Sequence, residues 1–524
     1  MNRETTPATR SALDLSECDR ERIHEISMVQ AYGAFVSFTY PELRVKNVSA
    51  NIGAIMDTKE TSEGGGVGAR LDSLLDLDLV SEISARAVNG LKAGRNTYFK
   101  YWGRRKLDVF LFSMEDGAIG AELCPLPDDS RVHETGSFDE FVKTARTTTS
   151  VAALSQRACE TVRRLTGLDR VMLYRFYPPS WYGEVIAEDR VAESHSFRDH
   201  RFPASDIPKP ARDLYLRNQV RLIVDSEGED AAILPPFGKT KAVDLSDSRL
   251  RSVSRVHLEY LKNMGVRTSF SVAITVDNTL WGLIACHGAK PRYISHAVRA
   301  VCESVANTLA LFLPVLETNI RQLQEIGFSE KLQAIFGELR LSGDPREHLL
   351  RKVEPVLDLF SAKGLALVEG TSVDFAGLTP RRSEIVDISI LLRERMEKDG
   401  REVLAIESLS ELFPGWLSVK EQASGVLAVL APELNGALLL LFRPELLHTV
   451  QWGGDPHKAV ESRNYQGQIN PRVSFQTWTE TIRGKSSPWK AHEISGALHF
   501  RNMIFDALIR QGRMISELGQ LRKG

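Results

Sequence analysis

Arg201-Phe-Pro-Ala-Ser-Asp-Ile-Pro-Lys-Pro-Ala-Arg-Asp-Leu-Tyr215 is a stretch in which three prolines set the backbone. Pro203, Pro208 and Pro210 fix their own φ and push Phe202, Ile207 and Lys209 toward extended conformations. Ser205 and Asp206 stand where N-cap residues belong, Pro208 is close to the first helical position, and 211–216 are good helix formers. On its residues alone, the stretch predicts a stiff loop running into a helix capped by Asp206.

Working outward, the pattern predicts one α+β domain around this loop. Upstream lie a helical stretch, 138–167, with apolar spacing at Phe141, Ala145, Val151, Leu154 and Val162, and strands at 170–176 and 183–188. Downstream come a long loop, 226–248, and a helix capped by Ser254 that carries His257, Tyr260, Leu261 and Met264. Two strands, 269–276 and 280–287, are joined by Asp277-Asn-Thr as a hairpin. A long helix begins near His296, and Pro314 should kink it or mark a junction.

The flanks repeat this mixed character. Before the central domain, strands at 33–39, 97–101 and 107–113 and helical pieces at 71–79 and 80–91 suggest a small sensor domain of PAS type. Gly64-Gly-Gly66 is a turn and not a phosphate loop, because no Lys-Ser/Thr follows it. After the central domain, strands at 364–368, 425–430 and 437–442 alternate with helices. Within this third part, 451–489 is polar, turn-rich and poor in core residues, a length that a compact domain tolerates only for disorder or for function. The last helix places Ile504, Leu508, Ile515 and Leu518 at coiled-coil spacing and stops at Leu521-Arg-Lys-Gly as though a further module followed.

Composition bounds the function. The 524 residues suit about three domains, with 66 basic against 68 acidic residues and 43% hydrophobic. That balance gives no reason to expect nucleic acid as a partner. The N-terminus lacks the apolar core of a signal peptide, and the longest apolar runs, such as Leu438-Leu-Leu-Leu-Phe442, are short for a bilayer. A soluble, cytoplasmic protein is expected. Five dispersed cysteines, Cys18, Cys124, Cys159, Cys286 and Cys302, have no metal-ligand spacing. Cys18 differs from the rest in lying within a polar segment, Asp14-Leu-Ser-Glu-Cys-Asp-Arg-Glu-Arg22. No hydrolase, Walker or zinc-protease motif occurs, and an enzyme is not expected within these residues.

Candidate site residues converge on the central domain. Either His257 or His287 alone reads as a hydrogen-bonded core histidine; with Asp206 they can form a polar cluster in an apolar pocket. Arg221 and Arg251 can be surface ion-pair partners, or a pair of guanidiniums suited to bidentate carboxylate recognition.

Phe202-Pro-Ala-Ser-Asp-Ile-Pro208, the segment 250–266 and Leu280-Trp-Gly-Leu-Ile-Ala-Cys-His287 resemble the chromophore-binding GAF domain of bacteriophytochromes, bilin-based red-light photoreceptors. Leu15-Ser-Glu-Cys-Asp-Arg-Glu21 resembles their N-terminal attachment site; Trp452-Gly-Gly-Asp-Pro456, Pro471-Arg-Val-Ser-Phe475 and Trp478 resemble the tongue of their PHY domain. The resemblance implies a PAS, GAF, PHY order over residues 1–130, 131–318 and 319–524, with an N-terminal lasso or knot. It implies biliverdin bound as a thioether at Cys18, with Arg221 and Arg251 on its propionates. Tyr215, Ser254, Ser269 and Ser271 would add hydrogen bonds. Asp206 and His257 would flank the pyrrole nitrogens and His287 would hold the ring D carbonyl. Tyr174, Phe202, Tyr260, Met172 and Ile207 would line the pocket.

For signalling, the resemblance implies that Arg472 pairs with Asp206 in one state and Ser474 replaces it in the other, with Pro471, Phe475 and Trp452 nearby. It also implies a homodimer through the GAF and PHY helices and a downstream kinase or other output domain. Two other readings remain at this stage: a non-photochemical PAS/GAF protein binding another small molecule, and a histidine kinase whose catalytic part lies beyond residue 524. The segment Ile23-His-Glu-Ile-Ser-Met-Val-Gln-Ala-Tyr-Gly33 departs from the family pattern by two prolines, a glycine and a histidine. A looser lasso is expected there, with Val29 at the threading position.

Overall fold

The computed structural model describes residues 22–57, 66–90, 95–102, 105–127, 136–235, 242–339, 345–351, 353–431, 436–456 and 475–521. Contacts divide the chain into two compact units, Met1–Leu316 with Gln451–Trp478, and Glu317–Val450 with Thr479–Gly524. Pro314 lies inside the helix His296–Leu339, which runs on through it, two residues before that division.

The first unit holds two antiparallel sheets. In the N-terminal one the order is Met28–Gln30, Asp230–Leu234, Val45–Ser49, Ala34–Phe38, Ile119–Leu126, Arg105–Ser113, Arg95–Trp102. Strand alternation sends Val36, Val109, Leu111, Ala121 and Leu123 to one core and Phe35, Phe110, Phe112 and Cys124 to another. Asp230–Leu234 corrects the expected loop over 226–248. Its residues alternate exposed and buried, and its acidic start hid a half-buried strand.

Residues 24–31 make main-chain bonds to both limbs of that excursion: Ile233 and Ala31 bond across one side, and His24, Met28 and Gln30 bond to Leu245, Ser252 and Leu250 on the other. Val29 is fully buried. Two buried carboxylates fasten the sheet to the next domain. Glu122 accepts from Ser248 Oγ (2.6 Å) and from the Arg249 and Leu250 amides. Asp108 accepts from Tyr293 Oη and from the His296 amide at a helix N-terminus, where the dipole favours an anion.

The central sheet runs Val220–Ile223, Thr268–Val276, Thr279–Gly288, Arg170–Tyr177, Tyr182–Arg190, Arg201–Phe202, and Trp452 pairs in parallel with Arg201. Asp277 and Asn278 have φ of 49° and 58° between paired Val276 and Thr279, the type I′ turn that matches strand twist. The helical stretch expected over 138–167 breaks into Gly136–Thr147 and Val151–Thr166, because Ser150 turns extended and its side chain caps the second helix through the Ala153 amide.

The helix His296–Leu339 is long and apolar enough, by length and composition, to cross a membrane. Its apolar residues are split: Cys302, Val305, Ala306, Leu309 and Leu313 lie in the core, whereas Leu311 and Val315 are exposed at 72% and 54%. The second unit centres on a sheet of Ser372–Gly377, Gly364–Glu369, Ala437–Arg443, Gly425–Ala431 and Val403–Ile406. Helices cover both faces, which explains the unbroken apolar run at 438–442: Leu439 and Leu441 meet Phe500 and Ile504 on one side, Leu438, Leu440 and Phe442 meet Ile388 and Leu392 on the other. Ile504, expected on a coiled-coil seam, is thus a core residue of its own unit.

Candidate chromophore site

Period-two alternation builds the floor of the site. Val171, Leu173, Phe270, Val272, Ile284 and Cys286 point into the domain core. Their neighbours Arg170, Met172, Tyr174, Ser269, Ser271, Ala285 and His287 share the opposite face. Register sets them in rows: Ser269, His287 and Arg170 lie side by side, as do Arg221, Ser271, Ala285 and Met172.

The loop 202–217 and the helix Arg255–Asn263 supply the other residues. Ala204–Asp206 is a 3-10 turn, and the next helix, Lys209–Arg217, starts after Pro208 with no side-chain cap. Asp206 therefore does not cap it; three prolines in eight residues interrupt the helix between carboxylate and amides. Instead Tyr260 Oη donates to Asp206 Oδ2 at 2.9 Å. Ser254 occupies the N-cap position of its helix without a side-chain cap bond. His257 lies parallel to the Tyr260 ring (5.8 Å, 11°), and Phe475 meets that ring edge-on at 4.8 Å. Tyr174 packs on Phe202 at 6.0 Å, and both join Met172, Phe475 and the partly buried Ile207 and Tyr215 in one apolar cluster. Gly453 has to be glycine here, since a Cβ would stand 2.4 Å from the Phe202 ring.

At the other end two guanidiniums are buried. Arg221 Nη2 donates to the carbonyls of Arg251 (2.5 Å) and Ser252 (2.9 Å), and Arg251 Nη1 donates to that of Ile23. Arg221 Nη1 and Arg251 Nε have no hydrogen-bond partner, nor does the Ser205 hydroxyl. Among the described residues no carboxylate forms a salt bridge with either arginine. Burial pulls both guanidiniums below their usual range, and for Arg251 its charged neighbour Arg221 adds to this. Tyr215 Oη bonds Ser271 Oγ beside them at 2.7 Å.

Burial, with Arg221 adding to it, lowers His257 to about 4, and burial with Arg170 pulls His287 well below its usual range. Both are neutral at pH 7. Below pH 6.5 the unfolded chain takes up a proton that native His257 refuses, so stability should fall as pH drops from 6.5 to 4. For His257 the loss approaches about 1.4 kcal/mol per pH unit, about 3 kcal/mol across this window. Urea midpoints measured across this range should flatten in His257→Phe; an unchanged slope would refute the buried neutral state.

Cys18, Pro471, Arg472 and Ser474 lie outside the described residues. Three contributors were missed at the sequence level. Arg170 bonds His287, Gln30 Nε2 donates to the Leu222 carbonyl at 2.9 Å, and His200 Nε2 meets Thr477 Oγ1 at 2.8 Å. Only strand register and long-range pairing reveal them; no local pattern marks these residues.

Comparison with known proteins places this geometry. Residues 18–120 match the PAS fold family, 150–313 the GAF domain and 330–513 the phytochrome region. A phytochrome-like protein of Synechocystis sp. is 31% identical over 97% of this chain and 68% of its own length. A bacteriophytochrome of Pseudomonas aeruginosa is 29% identical over 98% and 69%. The crystal structure of a bacteriophytochrome from the photosynthetic bacterium R. palustris superimposes with a TM-score of 0.81 at 33% identity, covering 94% of this chain and 99% of that one. The photosensory core of the Stigmatella aurantiaca phytochrome gives 0.76 at 30%, over 94% and 98%. The chain belongs to the phytochromes, and its PAS, GAF and PHY regions form a phytochrome photosensory core. That membership implies a linear tetrapyrrole chromophore. The residues fit one: two buried arginines form no salt bridge among the described residues at one end, and an aromatic cluster with a neutral histidine lies at the other.

Proposed function

We propose that the protein is a red/far-red photoreceptor that carries biliverdin on Cys18. The observation that supports this most is the pair Arg221 and Arg251, buried with no salt bridge among the described residues and flanked by Tyr215 and Ser271. Two propionates would complete them by charge-assisted bonds. When bound, the bilin supplies red absorption and isomerisation about its C15=C16 bond.

The chain's own residues do the rest. Cys18 would hold the group covalently, its thiol adding across the ring A side-chain double bond with sulfur to one carbon and its proton to the other, so that nothing would be oxidised and nothing would leave. Asp206 holds an acceptor oxygen and His257 a neutral ring over the centre of the pocket. His287 offers a donor at the far end, and Tyr174, Phe202 and Tyr260 shape the space in which ring D turns. Arg472 pairs with Asp206 in one state and Ser474 takes its place in the other, so the 451–489 excursion changes form. Driving such an element from one end to the other takes about 5.5 kcal/mol of differential interaction, within reach of one desolvated ion pair plus repacking. The helices His296–Leu339 and Ala491–Leu521 carry the change onward, and the exposed Leu311 and Val315 support pairing with a second copy. A cytoplasmic location and a sensory role without catalysis fit this reading.

Mixing the apoprotein with biliverdin should give a red absorption band that red light converts reversibly to a second form. Absence of colour, or colour indifferent to light, would refute the proposal.

A further inference from the structure

Arg170 opens its strand directly opposite His287 and is only 6% exposed. Its Nη2 lies 3.0 Å from His287 Nδ1, and its Nη1 donates to the His195 carbonyl at 2.7 Å. The guanidinium rests 4.4 Å above the Phe197 ring. The 195–197 loop that grips it is pinned in turn: Glu188 accepts from Ser196 Oγ (2.5 Å) and from the Phe197 amide (3.0 Å) and also pairs with Arg190 at 3.5 Å. Glu188 is thus occupied, and Arg170 forms no salt bridge among the described residues. Arg170 and His287 together line a cleft of about 490 Å³ that also includes His195, Met264 and Phe475.

A guanidinium has five donors and no acceptor. The short contact at Nδ1 can be a hydrogen bond only if that nitrogen carries the lone pair, which puts the ring proton on Nε2. We propose that Arg170 is a positioning residue that locks His287 in the Nε2–H tautomer, so that Nε2 is left as a donor for the ring D carbonyl. The link to ring D rests on the biliverdin reading above; the tautomer assignment does not. A single-sided lock of this kind explains why a cation is held beside a histidine in a buried row where no acid pairs with it. The cation also opposes protonation of the ring, so the donor stays neutral.

The test uses the full chain with 15N-labelled histidine, His287 being assigned by comparison with His287→Gln. In the apoprotein at neutral pH, wild type should show an unprotonated Nδ1 and a protonated Nε2. Arg170→Met, close in volume and without donors, should move the tautomer ratio at least about tenfold toward Nδ1–H, the effect of losing one charge-assisted hydrogen bond. Arg170→Lys, which keeps a cationic donor, should recover most of the wild-type ratio and guards against a variant that simply misfolds. A wild-type Nδ1–H form, or a ratio unchanged in Arg170→Met, would overturn the lock. In the biliverdin-loaded proteins the red band should shift in Arg170→Met and return in Arg170→Lys. A changed tautomer with an unmoved band would overturn the ring D link alone, and wild type that takes up no biliverdin would sink the chromophore reading while leaving the tautomer result standing.

Discussion

Cys18→Ser should abolish covalent attachment of biliverdin completely while leaving the protein coloured. The other four cysteines cannot substitute. Cys124, Cys159, Cys286 and Cys302 are at most 1% exposed, and burial raises every one of their thiols, Cys302 to about 12. A thiol of that acidity is thiolate in about one molecule in 10⁵ at neutral pH, and the thiolate is the nucleophile. Cys18, in a polar segment rich in Asp, Glu and Arg, has no such barrier written into its sequence. Non-covalent uptake persists because the arginine pair and the aromatic cluster do not depend on the linkage. Zinc-dependent fluorescence on a denaturing gel reads the covalent adduct, and absorbance in solution reads uptake. A fluorescent band in Cys18→Ser would show that another group makes the bond.

Arg221→Met should separate stability from binding in opposite directions. In the apoprotein a buried guanidinium with an unpartnered Nη1 has lost its hydration without gaining an anion, and that costs several kcal/mol. Methionine of similar volume removes that penalty and leaves only the carbonyls of Arg251 and Ser252 without their donor. The apoprotein should therefore unfold within about 1 kcal/mol of wild type, or later. Binding behaves otherwise, because removing one partner of a desolvated charge pair costs about 2–5 kcal/mol, so biliverdin affinity should fall at least about 30-fold. Thermal denaturation of the apoprotein gives the first quantity. Titration in a Cys18→Ser background gives the second, without covalent capture masking it. A strongly destabilised apoprotein with unchanged affinity would make Arg221 a structural residue and remove the main support for the propionate clamp.

Much of this arrangement was legible in the residues. The hairpin at Asp277-Asn278, read one residue too long because Thr279 already pairs in the strand, and the alternation that puts Ser269, Ser271 and His287 on one face follow from local chemistry: turn residues that accept positive φ, and period two. The motifs around Pro203–Pro208 and His257 resemble those of the family on sequence alone. Local chemistry also misled. Asp206 looked like a helix cap, and Asp230–Leu234 looked like a loop. In both cases a distant partner won: the Tyr260 hydroxyl for the carboxylate, and the strand Met28–Gln30 for the backbone.

The sequence by itself determined the class of fold, through periodicity and turn residues, and the family, through the resemblance of its motifs, because both are carried by local stretches of chain. Only the tertiary structure decided which atom faces which: that Arg221 and Arg251 are buried with no salt bridge among the described residues, that Gly453 leaves room for Phe202, and that Arg170 stands against Nδ1 of His287. Those facts arise from register between strands more than a hundred residues apart and from what burial leaves unpaired, and neither is written in any local stretch of the chain.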